Sequence, residues 1–426
     1  MPALISRGSS AAGFGPTTWS VLRHRRFRWY FAGNSLSNIG TWVQNAAQVV
    51  LAYQLTGSTT GVGLVVGAQF VSPLLLGPVA GAVADRFDRR HVLLVTQLGS
   101  ATVCVVLAGL QSAGQLGLAT LVTCAFLIGV GYTFTLPAQS AFVPTLVPVE
   151  ETRAAVTLNG VSSNIGRALA PILGLGVVAV LGFGAAFAVN AASFLALAAI
   201  LLRMRSGRPQ FRSRSTALLD GFRIVRRTRR LQVLLLIVAA STVATDPPLV
   251  LGPSLAVTFG MSAAMSAYFL CAFGIGTVIG SLLPGLRTGL TGTGWFLAVL
   301  GGATISLSIV DSFGAALVAV ATSGIASLLV GTATQSLMLE IAGPAQAGRV
   351  MAMWAMAYVG SRPIATAVDT WLAGVLDART SAALLAVPAL TVAGVILSLK
   401  ATNRGRRWGA KVLRGTLAVS PRALPS

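Results

Sequence analysis

The chain has 426 residues, of which 54% are hydrophobic and only 10% charged, and its mean hydropathy is +0.79. That is too little charge to cover a soluble globule of this size, so lipid is the expected solvent. The formal net charge of +21 points to nucleic acid only if the basic residues cluster on one surface, and their placement along the chain excludes that reading.

Apolar runs long enough to cross a hydrocarbon core of about 30 Å recur along the whole sequence. Backbone groups in lipid must bond within their own segment, which favours helices. Porin-type barrels are disfavoured, because the runs are rich in Ala, Leu, Val and Gly and do not alternate apolar with polar. Spans are predicted near 28–53, 60–84, 91–110, 115–138, 154–180, 184–202, 231–252, 262–286, 294–310, 314–339, 350–374 and 380–400. The expected organisation is a cytoplasmic tail at 1–27, a six-helix bundle at 28–202, a linker at 203–230, a second six-helix bundle at 231–400 and a basic tail at 401–426. No cleavable signal peptide is expected, since the segment before the first span is polar and the apolar run is full length.

Of the 31 Lys and Arg, 28 fall in the N-terminal tail, the even-numbered loops or the C-terminal tail. Arg167 and Arg362 lie inside spans, and only Arg379 falls in a loop on the other side. This positive-inside asymmetry predicts a plasma (inner) membrane protein with both termini cytoplasmic. Anionic headgroups, not nucleic acid, are the expected neighbours of the basic residues.

Along the first span, Asn34, Asn38, Thr41, Asn45 and Gln48 recur at three- and four-residue steps, so one helical face carries polar groups. Such a stripe either lines a water-filled cavity or bonds to neighbouring helices, and five polar groups exceed what one helix contact needs. His24 and His91 lie among arginines at the cytoplasmic edge and read as headgroup-level polar residues. Cys104, Cys124 and Cys271 lie in predicted spans without a Cys or His partner at ligand spacing, so neither a disulfide framework nor a metal site is expected.

The loop after the second span reads GAVADRFDRR and contains Gly81, Asp85, Arg86, Arg89 and Arg90. The fifth span carries Gly160, Gly166, Ala170, Pro171, Gly174 and Gly176 around Arg167. Small residues permit close helix approach and Pro171 removes a helical hydrogen bond, so this helix has a candidate hinge. Arg167 follows Arg153, and Arg362 follows Arg349, by thirteen or fourteen residues, which is about 20 Å of helix and brings both near midplane. An intramembrane arginine is a functional candidate: its fork of donors suits carboxylates and phenolates, unless an acid or backbone carbonyls neutralise it.

The linker holds ten arginines, and its second half places Leu218, Leu219, Phe222 and Val225 on one helical face, as expected of an interfacial amphipathic helix. Asp246, in the seventh span, and Asp369, in the eleventh, either pair with the buried arginines, carry a proton, or stand hydrated near the outer interface. Asp369 shares a helical face with Arg362, Thr366 and Tyr358. Pro363, next to Arg362, is a second candidate hinge. Glu340 and Arg349 can form an ion pair at the charged end of the second half. The two halves also repeat: QSAFVPTLVPVEETR and QSLMLEIAGPAQAGR align Gln139 with Gln335, Ser140 with Ser336, Pro148 with Pro344 and Arg153 with Arg349 at one offset. Parallel six-span repeats enclosing a midplane substrate site are a known transporter plan.

GAVADRFDRR resembles the G-x-x-x-D-R-x-G-R-R signature between the second and third helices of the major facilitator superfamily, with Asp88 where glycine is usual. Its counterpart in the second half, SLLPGLRTGLTG, keeps only Arg287. The stretch SLSNIGTWVQNAAQVVLAYQLTGS, SSNIGRALAPILG of the fifth span and DGFRIVRRTRRL of the linker resemble the branch containing enterobactin exporters and related multidrug pumps. The fifth span is also similar to the antiporter motif G-x-x-x-G-P-x-x-G-G, with alanine for one glycine and leucine for the last. The resemblance implies a major-facilitator-type fold of twelve transmembrane helices in two pseudo-symmetric bundles. It also implies a latch in which Asp85, with Gly81, Arg86, Arg89, Arg90, Arg153, Glu340 and Arg349, docks on the facing half when the cytoplasmic side is closed.

No P-loop, HExxH or serine elbow is present in a suitable context, so no enzyme and no cofactor is expected. The functional expectation is a monomeric secondary exporter of a small molecule such as a siderophore, other metabolite or drug, working by proton antiport through Asp246 or Asp369. Its substrate would be held by Asn34, Asn38, Thr41, Asn45, Gln48, Asn159, Ser163, Arg167, Tyr358 and Arg362. An importer or uniporter of the same fold, and a non-transporting receptor or assembly factor, are the alternatives.

Overall fold

The computed structural model describes residues 19–204, 217–283 and 289–401, and every regular element among them is helical. Arg287, much of the linker and most of both tails lie outside the described residues, as do the side chains of Arg153, Arg167 and Pro171. The first half contains α1 (Arg25–Thr56), α2 (Thr59–Arg86), α3 (Arg89–Ser112), α4 (Leu118–Phe142) and α5 (Thr152–Arg203). After α6 (Ala217–Arg227), the second half contains α7 (Arg229–Thr245), α8 (Pro247–Val250), α9 (Gly252–Thr258), α10 (Ser266–Leu282), α11 (Leu290–Ser306), α12 (Phe313–Gly360), α13 (Arg362–Val375) and α14 (Ala378–Ala401).

Local chemistry sets the boundaries. α1 ends on Gly57, whose φ of 62° suits only a residue without a Cβ, and the Ser58 hydroxyl then caps α2 by accepting from Thr60 N at 3.1 Å. Asp88, the departure from the signature glycine, has φ −59° and caps α3 by accepting from Arg90 N at 2.9 Å. The turn thus closes by side-chain capping instead of a left-handed residue. α5 runs for 52 residues, about 78 Å at 1.5 Å per residue and far more than one crossing needs. It is broken at Gly182, where φ 80° and ψ 175° interrupt the helix.

Among the described residues, eight helical segments are both long and apolar enough to cross a membrane: 59–77, 89–112, 118–146, 176–203, 229–250, 263–282, 313–342 and 378–398. α1 is long enough but rich in amides and hydroxyls, and α11 is apolar but short. Many large apolar side chains face outward, including Val95, Val180, Leu181, Val318 and Trp371, the surface that lipid tails accept.

Equivalent pairings recur in the two halves. α2 packs on α4 as α10 packs on α12, and α3 packs on the second arm of α5 as α11 packs on α14. The crossings use glycine at matching places: a methyl added at Gly129 would overlap the Gln69 carbonyl, and one at Gly324 the Phe273 carbonyl. Backbones in lipid gain most from such close approach, since apolar side chains gain nothing by leaving the tails. The halves meet where α2 faces α13 and where α5 faces α10. The α2–α13 contact is tight at the end remote from the charged loops, with Gly63 against Thr370 and Gly374 against Thr60.

Candidate functional site

The two charges that define the site stand at helix breaks made by proline. α7 stops at Thr245, Asp246 follows, and Pro247 and Pro248 restart the chain as α8. α12 stops at Gly360, and Arg362 and Pro363 open α13. Proline is accepted in a first helical turn, where its missing N–H costs nothing. Both breaks meet at one cavity between the halves, with an empty volume of about 580 Å³ including its open mouth. Trp42, Asn45, Gln48, Gln69 and Phe70 line it from the first half; Asp246, Leu249, Leu270 and Arg362 line it from the second.

Arg362 carries its guanidinium carbon 4.8 Å from the centre of the Phe70 ring, a cation–π contact between halves, and its Nε is buried without a hydrogen-bond partner among the described residues. Thr366 Oγ1 donates to Asp246 Oδ2 at 2.9 Å, and Ser381 Oγ donates to Asp369 Oδ1 at 2.7 Å. Asp246 and Asp369 are 1% and 0% exposed, so neither is the hydrated interfacial carboxylate that the sequence left open. The two carboxyls act on each other electrostatically and Arg362 acts on Asp246. Asp369 Oδ2 has no partner among the described residues. Two buried acids and one base, if all are ionised, leave one negative charge to be balanced by a proton or by the environment.

The amide stripe of α1 divides. Its first part bonds between helices: Asn34 Nδ2 donates to Asn159 Oδ1 at 2.9 Å, Gln139 Nε2 donates to Asn34 Oδ1 at 3.0 Å, and Asn38 Nδ2 donates to Ser162 Oγ at 3.2 Å. Thr41 bonds back to the Ser37 carbonyl of its own helix at 2.8 Å. Its last part, Asn45 and Gln48, reaches the cavity, where Gln69 Nε2 donates to Asn45 Oδ1 at 3.3 Å. Ser163 is half-buried away from the cavity wall. Tyr358 does not line it either and stacks on Trp354 at 5.1 Å.

Gln69, Phe70 and Trp42 escaped the sequence reading because aromatic and single polar residues in an apolar span look like packing. Gln44 also escaped, although it stands three residues after Thr41 and four before Gln48.

At the charged end, Arg89 Nη1 donates to the Ala141 carbonyl at 3.2 Å, and Arg90 donates through Nε and Nη2 to the Leu201 and Leu202 carbonyls at 2.6 and 2.8 Å. These arginines cap the ends of α4 and α5. Asp85 and Glu340 are exposed and have no ion pair among the described residues, and a methyl at Gly81 would meet open space. A clasp not read from sequence joins the chain's start to the loop before α5: Glu151 accepts from Arg23 and, at 2.9 Å, pairs with His24 Nε2. The His24 bond and then the Arg23 charge hold the Glu151 carboxyl below the usual range.

An all-helical membrane chain with repeated halves and a polar cavity between them has the architecture of a secondary transporter. The transmembrane secretion effector family matches residues 16–408, and the chain belongs to it and, through it, to the major facilitator superfamily. It is therefore a multi-pass membrane transporter of the major facilitator type.

The enterobactin exporter EntS of Shigella flexneri is 30% identical over 297 residues, 65% of this chain and 68% of that one. The uncharacterised major-facilitator-type transporter YfiS of Bacillus subtilis strain 168 is 28% identical over 171 residues, which span only 40% of each chain. Among solved structures, a bacterial homologue of the human lysosomal transporter Spinster, inward-facing and unoccupied, superposes with a TM-score of 0.66 at 15% identity, covering 91% of this chain and 96% of that one. The POT family transporter PepTSo gives 0.71 at 12% identity over 93% and 99%. These two likenesses establish the fold alone.

Proposed function

We propose that the chain is a twelve-pass exporter, with both termini cytoplasmic and the inner membrane as its site, that moves a small organic anion by alternating access driven by protons. The observation that carries this reading is Arg362, a guanidinium held over Phe70 in the cavity between the halves with a buried Nε that has no hydrogen-bond partner among the described residues. A carboxylate or phenolate would take those donors, and the apolar wall would take the rest of the ligand. The family's secretion description and the exporter relative support outward direction.

Charge arithmetic supports proton coupling. Asp246, Asp369 and Arg362 together carry −1 with both acids ionised, 0 with one proton bound and +1 with two, so proton binding changes the charge that an anionic ligand meets. In this conformer the end remote from the charged loops is closed at Gly63–Thr370, while Asp85 is undocked, which fits a cytoplasm-facing state of a charged latch.

The test is purified protein in liposomes with an imposed pH gradient and a labelled aromatic acid. Gradient-dependent movement lost in Arg362→Met, with retained but gradient-independent exchange in Asp369→Asn, is expected. Gradient-independent transport by the wild type refutes proton coupling, and normal transport by Arg362→Met removes Arg362 from the site.

A further inference from the structure

Behind the cavity wall runs a chain of buried side chains whose donors all point one way. On the second arm of α5, Ser193 Oγ donates to Asn190 Oδ1 at 2.9 Å. Asn190 Nδ2 donates to Gln44 Oε1 at 2.6 Å, and Gln44 Nε2 donates to Gln48 Oε1 at 3.2 Å. Each of the four residues is 2% exposed or less. The chain ends at Gln48 Nε2, which is buried, has no partner among the described residues, and belongs to a residue that lines the cavity.

An amide's oxygen and nitrogen are exchangeable by a half-turn, so the direction needs a cause. Two neighbours supply it. The Cys104 thiol donates to Gln44 Oε1 at 3.0 Å, and its hydrogen needs an acceptor there. The Asn190 amide meets the same oxygen through its nitrogen at 2.6 Å, its own oxygen facing the Ser193 hydroxyl, whose single hydrogen is shared with the Asn190 backbone carbonyl at 2.8 Å. Two donors converging on one atom of Gln44 make that atom oxygen. Its nitrogen must then face Gln48, Gln48 must answer with oxygen, and the Gln48 nitrogen is left for the cavity. Hydrogen bonds aligned in this way polarise one another, which strengthens the terminal donor.

We propose that this relay makes Gln48 a fixed hydrogen-bond donor to the substrate, so that Gln44, Asn190 and Cys104 set the cavity's preference for oxygen-bearing anions without touching the ligand. Facing Arg362 from the opposite half, Gln48 gives the cavity donors on both sides, which suits a ligand with acceptor oxygens at two positions around an apolar body, such as an aromatic hydroxy acid. The inference rests on the transport reading of the same cavity, and Gln44, Asn190 and Cys104 are positioning residues.

The experiment is isothermal titration of the purified full-length protein with salicylate and, separately, 2-hydroxybenzylamine, reading the ratio of the two affinities. Wild type should prefer salicylate, and Gln48→Leu should weaken salicylate by about tenfold, the loss of one bond to a charged acceptor. Gln44→Glu has no donor for Gln48 Oε1. It should turn the Gln48 amide around, present oxygen to the cavity and lower the salicylate-to-amine ratio at least as far as Gln48→Leu. Because a buried carboxylate risks misfolding, Gln44→Met is run beside it; this neutral variant frees the amide and should give an intermediate ratio.

A general packing defect would weaken both ligands alike and leave the ratio unmoved, and that result overturns the relay. So does a wild-type ratio without preference for salicylate, or Gln44→Met binding as wild type while Gln48→Leu is impaired. Should Arg362→Met lose salicylate while the Gln44 and Gln48 variants do not, the transport reading stands and the relay falls. Unchanged binding in the Arg362 and Gln48 variants together defeats both.

Discussion

The most direct way to bias the transport cycle is a single methyl at Gly63. In α2 this residue faces α13, and a Cβ there would stand 2.7 Å from the Cβ of Thr370, with the Thr370 methyl and hydroxyl nearer still. Thr370 cannot swing aside cheaply, because its hydroxyl is bonded to the Thr366 carbonyl at 2.8 Å and its side chain is branched. The helices themselves must separate. Overpacking of this kind costs about 1–3 kcal/mol, and here the cost falls only on the conformer in which α2 and α13 touch. Gly63→Ala should therefore shift the equilibrium away from that closed state by about 5- to 150-fold.

Cross-linking reads the shift directly. A Cβ at Gly374 lies 3.7 Å from the Thr60 hydroxyl, so cysteines at 60 and 374 should form a disulfide in the closed state. The three native cysteines are buried and should give little background. Gly63→Ala should reduce the cross-linking yield at least fivefold, and Thr370→Gly in the same chain should restore it. Equal yields with and without the methyl would refute the argument that this contact closes the end of the molecule.

Four further outcomes follow. Gly129→Ala and Gly324→Ala, which push a methyl into a facing carbonyl, should each cost about 1–3 kcal/mol and lower the melting temperature in detergent. Gly99→Ala, in an open mid-helix position, should instead raise stability by about 0.5–1 kcal/mol. Thr366→Val should strip Asp246 of its hydroxyl donor and move the pH dependence of transport without abolishing it, as measured in liposomes across a pH series. The Glu151 carboxyl is held below the usual range, so its clasp to His24 and Arg23 stabilises the fold above the ordinary glutamate pKa and is lost as pH falls through the lowered one. The melting-temperature gap between wild type and Glu151→Gln should accordingly close on acidification.

The helices were legible because lipid makes few demands: length, hydropathy and charge asymmetry place most spans, but 314–339 and 350–374, expected to be separated by a loop, run on as one helix to Gly360, and the break falls at Ser361. Gly182 and Pro363 also announced their breaks, one by separating two predicted spans and the other beside a buried arginine. Side-chain partners were harder. Asn34 and Asn45 look alike on a helical wheel, yet one bonds to Asn159 and Gln139 on neighbouring helices while the other faces the cavity, and only the tertiary arrangement of α4 and α5 separates them. Asp85 was expected among arginines, but Arg89 and Arg90 spend their donors on helix-end carbonyls, whose unmet acceptors are as demanding as a carboxylate. The relay through Gln44 could not be read because its bonds cross from α1 to α3 and α5, far apart in sequence.

The glycine-to-carbonyl crossings bear on where movement can occur. Where backbones touch without intervening side chains, sliding or tilting one helix against its neighbour drives main-chain atoms into each other. Each half is thereby stiffened along the α2–α4 and α10–α12 seams. The pliable places left are the seam between halves and the proline breaks at Asp246 and Arg362, so the ionisable groups stand at the joints.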